Sequence, residues 1–200
     1  MIRWFWRRAR LVARFAALLL TLATTSGPVV AADGAPRKAA DAEKVARGKY
    51  LVTVAVCNDC HTPWKLGPNG PEPDMSRMLS GHPERENLPP PPKLPDGPWG
   101  MTAAATNTAW SGPWGVSFTA NLTPDPETGL GKWTQRNFID TIRTGRHMGR
   151  GRPILPPMPY PMYKNFTDAD LEAIFSYLRT IPAVKNRVPE PLAPTVAAAK

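Results

Sequence analysis

The sequence predicts an all-α fold, with about three core helices set in long irregular connections, and three observations carry that reading. Apolar residues recur at helical spacing in three separate stretches. Runs that alternate apolar and polar residues, the mark of a half-buried strand, are few. Twenty-five prolines are spread through 200 residues, and a residue without an N–H does not fit the middle of a sheet ladder. The 168 residues that follow position 32 suit a single domain.

The chain opens on Arg3, Arg7, Arg8, Arg10 and Arg14, then a nine-residue apolar run from Phe15 to Ala23, then Val30-Ala31-Ala32 before Asp33. A basic start, a short apolar stretch and small residues at a cleavage point make residues 1–32 an export signal. The apolar run falls well short of the ~20 residues a membrane span needs. An uncleaved anchor is the competing reading and the sole route to a membrane. Without the signal, 20 basic and 16 acidic side chains remain, a net charge of +4 against +9 for the whole chain. That mild balance gives no ground for a nucleic-acid partner.

The first helix spans roughly Ala40 to Val56, with Val45, Gly48, Val52 and Ala55 on one face. Glycine inside a helix costs about 1 kcal/mol relative to alanine, so Gly48 points to close approach of another helix. Directly after it come the chain's two cysteines, in the run Cys57-Asn58-Asp59-Cys60-His61. C-x-x-C-H is the attachment signature of c-type haem: two thiols form thioethers with the porphyrin, and the adjacent histidine reaches the iron. On a helix Cys57 and His61 share a face, one turn apart. A thioredoxin-like dithiol should lie beside a βαβ pattern, which the sequence lacks. A structural zinc site takes four ligands, and only His82 and His147 remain to complete one. Haem attachment outside the cytoplasm agrees with the export signal, and the domain is read as periplasmic.

Residues 66–118 form a Pro- and Trp-rich insertion, with seven prolines within 83–100 and four in a row at Pro89 to Pro92. Such a run favours extended polyproline backbone. Trp99, Trp110, Trp114 and Phe118 read as anchors that pin this loop to the core, or as a lining for the haem edge or a partner patch. The insertion is expected to fold over one side of the haem. Turn-rich sequence from Asn121 to Gly131 precedes the second helix, Thr134 to Thr144. Phe138, Ile139 and Ile142 form its buried stripe and Gly145 stops it. The third helix is capped by Thr167 and carries Leu171, Ile174, Phe175 and Leu178 on one face, with Pro182 beyond its end. Tyr177 is placed to pack at Gly48. The Pro- and Ala-rich tail from Asn186 reads as loosely ordered, with 191–200 flexible.

A sixth iron ligand must come from a short list. Met158 stands in Leu155-Pro156-Pro157-Met158-Pro159-Tyr160-Pro161, where flanking prolines stiffen the backbone around a weak thioether ligand. Met162 is its main rival; Met148 and His147 rank below. No nucleophile or acid–base constellation stands out, so no catalytic residue is assigned.

The Cys57–His61 motif, Asn121 to Asp125 (NLTPD) with Gly129 to Trp133, and Met158-Pro159-Tyr160 before a helix ending Tyr177-Leu178-Arg179 together resemble a bacterial class I cytochrome c domain. The likeness is greatest to cytochrome c subunits of periplasmic and membrane-bound dehydrogenases, and covers about 40–65 and 116–190. It implies a cytochrome c domain over 33–190 with covalent haem c on Cys57 and Cys60, His61 as proximal ligand, Met158 as distal ligand, and crossing terminal helices at Gly48 and Tyr177. Relatives often carry two or three such domains, and the single C-x-x-C-H here sets the expectation of one haem. The function it implies is single-electron transfer between a dehydrogenase and a respiratory acceptor. A haem enzyme with an exchangeable sixth ligand and a haem-based sensor are the alternatives.

Overall fold

Gly48 sets where the two longest helices meet. The computed structural model describes residues 34–94 and 97–194, so the export-signal segment 1–32 and the end of the tail, 195–200, lie outside the described residues. Helix α1 (Gly34–Val54) and helix α5 (Asp168–Leu178) pack across each other. A Cβ on Gly48 would lie 1.9 Å from the Ala173 carbonyl oxygen and 2.8 Å from Tyr177 Cβ, so no larger residue fits the crossing. Lys44–Glu172 (2.7 Å) and Arg47–Asp170 (2.9 Å) ion pairs flank it. Both are solvent-accessible and add little to the apolar contact.

The sequence between these helices contributes three more. The short helices α2 (Cys57–His61) and α4 (Tyr160–Tyr163) bracket α3 (Gln135–Thr144). Thr134 and Asn137 close α3 with a reciprocal capping box, and Gly145, at φ 65°, ends it in the left-handed conformation. Its Phe138, Ile139 and Ile142 are buried against α5, and the Phe138 and Phe175 ring centres lie 5.5 Å apart. Leu51 and Val52 of α1 complete this core together with Leu79 and Leu130. Among the described residues no helix is long and apolar enough to cross a membrane.

The all-α expectation is corrected: the fold is mixed α/β. Strands β1 (Trp64–Gly67) and β2 (Gly70–Pro73) form one antiparallel hairpin, and β3 (Thr102–Ala103), β4 (Ala109–Gly112) and β5 (Gly115–Phe118) form a three-stranded antiparallel sheet. Two features hid them. Pro71 and Pro73 lie in β2, whose sheet has only two strands, and an edge strand tolerates missing donors. In β5 the inward positions are Gly115 and Ser117, while Val116 and Phe118 are half-exposed, so its alternation is reversed in polarity.

The segment after α5 is bound to this sheet region through residue 192. Asn186 is buried; its Nδ2 donates to the Ser80 and His82 carbonyls (2.7 and 2.8 Å), and its Oδ1 accepts from Glu84 N (2.8 Å). Leu192 and Val116 exchange two 2.9 Å backbone hydrogen bonds. A loose tail is what Pro- and Ala-rich composition suggests, but one buried amide suffices to tie it down.

Candidate functional site

Val56 links α1 to α2 in the left-handed conformation (φ 51°, ψ 31°), which is costly for a β-branched residue. The turn redirects the chain, so that Cys57, Cys60 and His61 occupy a single helical turn. Thr62, fully buried, then locks the end of α2: its hydroxyl donates to Asn58 Oδ1 (3.0 Å) and accepts from Leu79 N (2.9 Å).

The His61 ring is buried, with Nδ1 2.8 Å from the Ala120 carbonyl oxygen. Nδ1 therefore carries the proton and donates it, and Nε2 keeps its lone pair, the arrangement a metal-ligating histidine needs. Burial also pushes its pKa below the usual range, which keeps the ring neutral near pH 7. The neighbouring Asn121 secures the backbone that presents Ala120: Asn121 Oδ1 accepts from Thr123 N (2.9 Å), and Nδ2 donates to the Val184 carbonyl (2.8 Å).

Burial pushes the Cys57 thiol up to about 11, and desolvation raises Cys60 as well. Reactive dithiols require the opposite, a depressed pKa and a standing thiolate. The described residues also hold no group of three or more His, Cys, Asp or Glu placed to bind a metal ion, as a zinc site would need.

Cys57, Cys60, His61 and Met158 all line one cavity of about 860 Å³. That volume lies within the range of cofactor pockets, ~300–1,000 Å³. Its walls are largely apolar, drawn from Val52 of α1, Phe138 and Ile142 of α3, and Leu171, Ile174 and Leu178 of α5. Tyr163 of α4 closes the structure beside it by donating its hydroxyl to the Ala55 carbonyl. Met158 packs half-buried against the core. Met162 is 69 % exposed and does not line the cavity, and neither does the exposed Met148. His147 does line it, with its ring edge-on to Trp133 at 5.0 Å. His82 is fully buried elsewhere, its Nδ1 2.9 Å from Thr108 Oγ1.

The insertion and the residue after it add to the lining: two of the aromatics expected to anchor this stretch or line the haem edge, and two hydroxyl residues that the sequence did not single out. Trp110, Ser117, Phe118 and Thr119 all face the cavity. Of these, Trp110 Nε1 and Thr119 Oγ1 are buried without a hydrogen-bond partner among the described residues. Two buried donors without partners are costly unless something in the cavity accepts from them. Trp99 lies apart, 75 % exposed. For Ser117 and Thr119 no sequence signal existed, since one hydroxyl in a strand leaves no pattern.

No protein-family model matches the chain. Among curated proteins it is similar to a subunit of the nicotinate dehydrogenase of Pseudomonas putida, 37 % identical over 90 residues, which is 45 % of this chain and 8 % of that protein. It is also similar to the cytochrome c subunit of a quinone alcohol dehydrogenase of Gluconobacter oxydans, 25 % identical over 155 residues, 76 % of this chain and 25 % of the relative. The gluconate 2-dehydrogenase cytochrome c subunit of Pantoea cypripedii is 29 % identical over 160 residues, 80 % of this chain and 27 % of the relative. Over most of its length, then, this chain has dehydrogenase cytochrome c subunits as homologues, and it spans about a quarter of their length.

Proposed function

We propose that this chain is a periplasmic single-electron carrier that holds one haem c through thioethers to Cys57 and Cys60, with His61 and Met158 as axial ligands. The observation that carries the reading is the convergence of both thiols, a histidine with a free Nε2, and a proline-framed methionine on one apolar cavity. When bound, the haem supplies a one-electron iron couple whose potential a methionine–histidine ligand pair raises relative to two histidines. Every other task falls to side chains. The Ala120 carbonyl orients the His61 ring and strengthens its basicity. Val52, Phe138, Leu171 and Ile174 exclude water, and Trp110 Nε1 and Thr119 Oγ1, buried without partners among the described residues, would be available as donors to acceptor groups of the bound cofactor. Were His61 and Met158 both to hold the iron, no position on it would be left for a substrate, and the group would supply one-electron transfer alone. The single C-x-x-C-H motif in these 200 residues supports one haem. Because the relatives are dehydrogenase subunits, the electron donor is proposed to be a dehydrogenase partner, and the acceptor a component of the respiratory chain.

Attachment is tested by replacing Cys57 and Cys60 with alanine. Pigment that no longer stays with the polypeptide after denaturing extraction is expected; fully retained covalent haem overturns the reading. Ligation is tested by Met158→Ala beside Met162→Ala. The first should abolish the weak methionine–iron band at the red edge of the visible spectrum and admit cyanide, while the second should change neither. The reverse result assigns the iron to Met162.

A further inference from the structure

The Met158 loop has almost no hydrogen bonds of its own. Leu155-Pro156-Pro157-Met158-Pro159 contains three prolines, so only Leu155 and Met158 bring backbone N–H groups, and neither makes a hydrogen bond among the described residues. Pro159 accepts from Met162 and Tyr163 of the turn that follows, which is local. Among the described residues, a single side-chain hydrogen bond reaches the loop from another element. It comes from the insertion, where Ser117 Oγ donates to the Pro156 carbonyl at 2.6 Å.

Ser117 is well placed to act as a fixed point. It is buried in the middle of β5, pairs across the ladder with Trp110, and lines the same cavity as Met158. A hydroxyl has one proton, and the alternative acceptor, the Trp110 carbonyl, is 3.5 Å away, so the proton goes to Pro156. The Ser117 oxygen in turn accepts from Trp114 Nε1 at 3.3 Å, which leaves the hydroxyl little freedom to rotate. β5 itself is held on one side by β4 and on the other by the two Val116–Leu192 hydrogen bonds.

We propose that Ser117 is a positioning residue for Met158: its hydroxyl, carried on a strand fixed from both sides, holds the Pro156 carbonyl and so keeps the methionine two residues on turned into the cavity. The proposal rests on Met158 being the distal ligand. It gives the insertion a mechanical task at the iron, beyond covering the cavity. A thioether is a weak ligand, so the chance that an outside ligand displaces it depends on how firmly the loop is held.

The test uses the full-length haem-loaded protein and imidazole as the competing ligand. Ser117→Ala should retain covalent haem, weaken the red-edge methionine–iron band, and bind imidazole about five- to tenfold more tightly, the scale set by one hydrogen bond to an acceptor that water can reach. Ser117→Thr and Ser117→Val form a second comparison, equal in shape and in any packing strain. Thr should keep the wild-type band and imidazole affinity, and Val should behave like Ala, so the hydroxyl is read even if Ala assembles poorly. Met158→Ala separates the two claims. If Met158→Ala leaves the band intact, the ligand assignment is wrong. If Met158→Ala abolishes the band while the Ala and Val variants match wild type, or Thr matches Val, the ligand stands and the role of Ser117 is overturned.

Discussion

The α1–α5 crossing and the β3–β5 sheet with the segment bound to it sit on the same cavity but are held together by different physics. At the crossing, apolar stripes from two helices interlock around Gly48, and many small contacts share the load. Around the sheet, isolated polar side chains carry the joints: Asn186 ties the C-terminal segment to residues 80–84, and Ser117 ties β5 to the Met158 loop. The lesson is that the first region fails when volume is added, and the second when one hydrogen-bonding atom is removed.

The sharpest way to break that contrast is Gly48→Ala. By helix propensity alone alanine would stabilise α1 by about 1 kcal/mol. The added methyl carbon would lie 1.9 Å from a backbone oxygen, which cannot rotate away. The helices must separate, and a loss of more than about 4 kcal/mol is expected, in the range reserved for severe core disruption. Denaturant titration measures it. A variant as stable as wild type would show that the crossing is loose and that the two regions do not differ as described.

Asn186→Ala is the counterpart. It adds no volume and removes three hydrogen bonds, leaving the Ser80 and His82 carbonyls without their partner in a fully buried place. A cost of about 2–4 kcal/mol follows from stranded buried acceptors. Asn186→Asp keeps the shape and the acceptor but sets oxygen against two carbonyl oxygens, so it should be at least as damaging as alanine. A midpoint shift with an unchanged denaturant slope marks a stability effect, and equality of Asp with wild type would dismiss the polar joint.

How much of each region the sequence disclosed follows the same division. The helices were legible because periodic apolar residues such as Leu171, Ile174, Phe175 and Leu178 repeat the signal several times, and Thr134, Gly145 and Thr167 mark the ends. Val56 shortened α1 to Val54 by adopting a conformation that nothing in its side chain foretells. The strands were illegible because each is at most four residues long, because Ser117 rather than Val116 points inward, and because prolines occupy an edge. At the cavity, Cys57, Cys60 and His61 stood out since their chemistry demands a fixed spacing, and prolines drew attention to Met158. Among the insertion's aromatics the sequence offered Trp110 as a lining residue, whereas Ser117 makes its contact through one oxygen, which composition and periodicity pass over.

The smallest effect on stability is expected from the stretch 88–100, where the comparison can be refined. The segment is Pro-rich and its described residues are exposed, Leu88 and Leu94 at 38 % each and Trp99 at 75 %. Neither polar joint falls in it, because the last residue tied by Asn186 is Glu84. Replacing 88–100 with a short Gly/Ser bridge should therefore leave stability within about 0.5 kcal/mol of wild type, as surface changes do. The methionine–iron band and imidazole affinity should be unchanged as well, since Ser117 and Pro156 are untouched. Electron exchange with a dehydrogenase partner is a separate matter. An exposed tryptophan is a contact of the kind that anchors interfaces, so the deletion should slow exchange without moving the potential. Stopped-flow kinetics beside a redox titration distinguishes the cases. A shifted potential would mean that the stretch shields the cavity, and unchanged kinetics would reduce it to a surface elaboration.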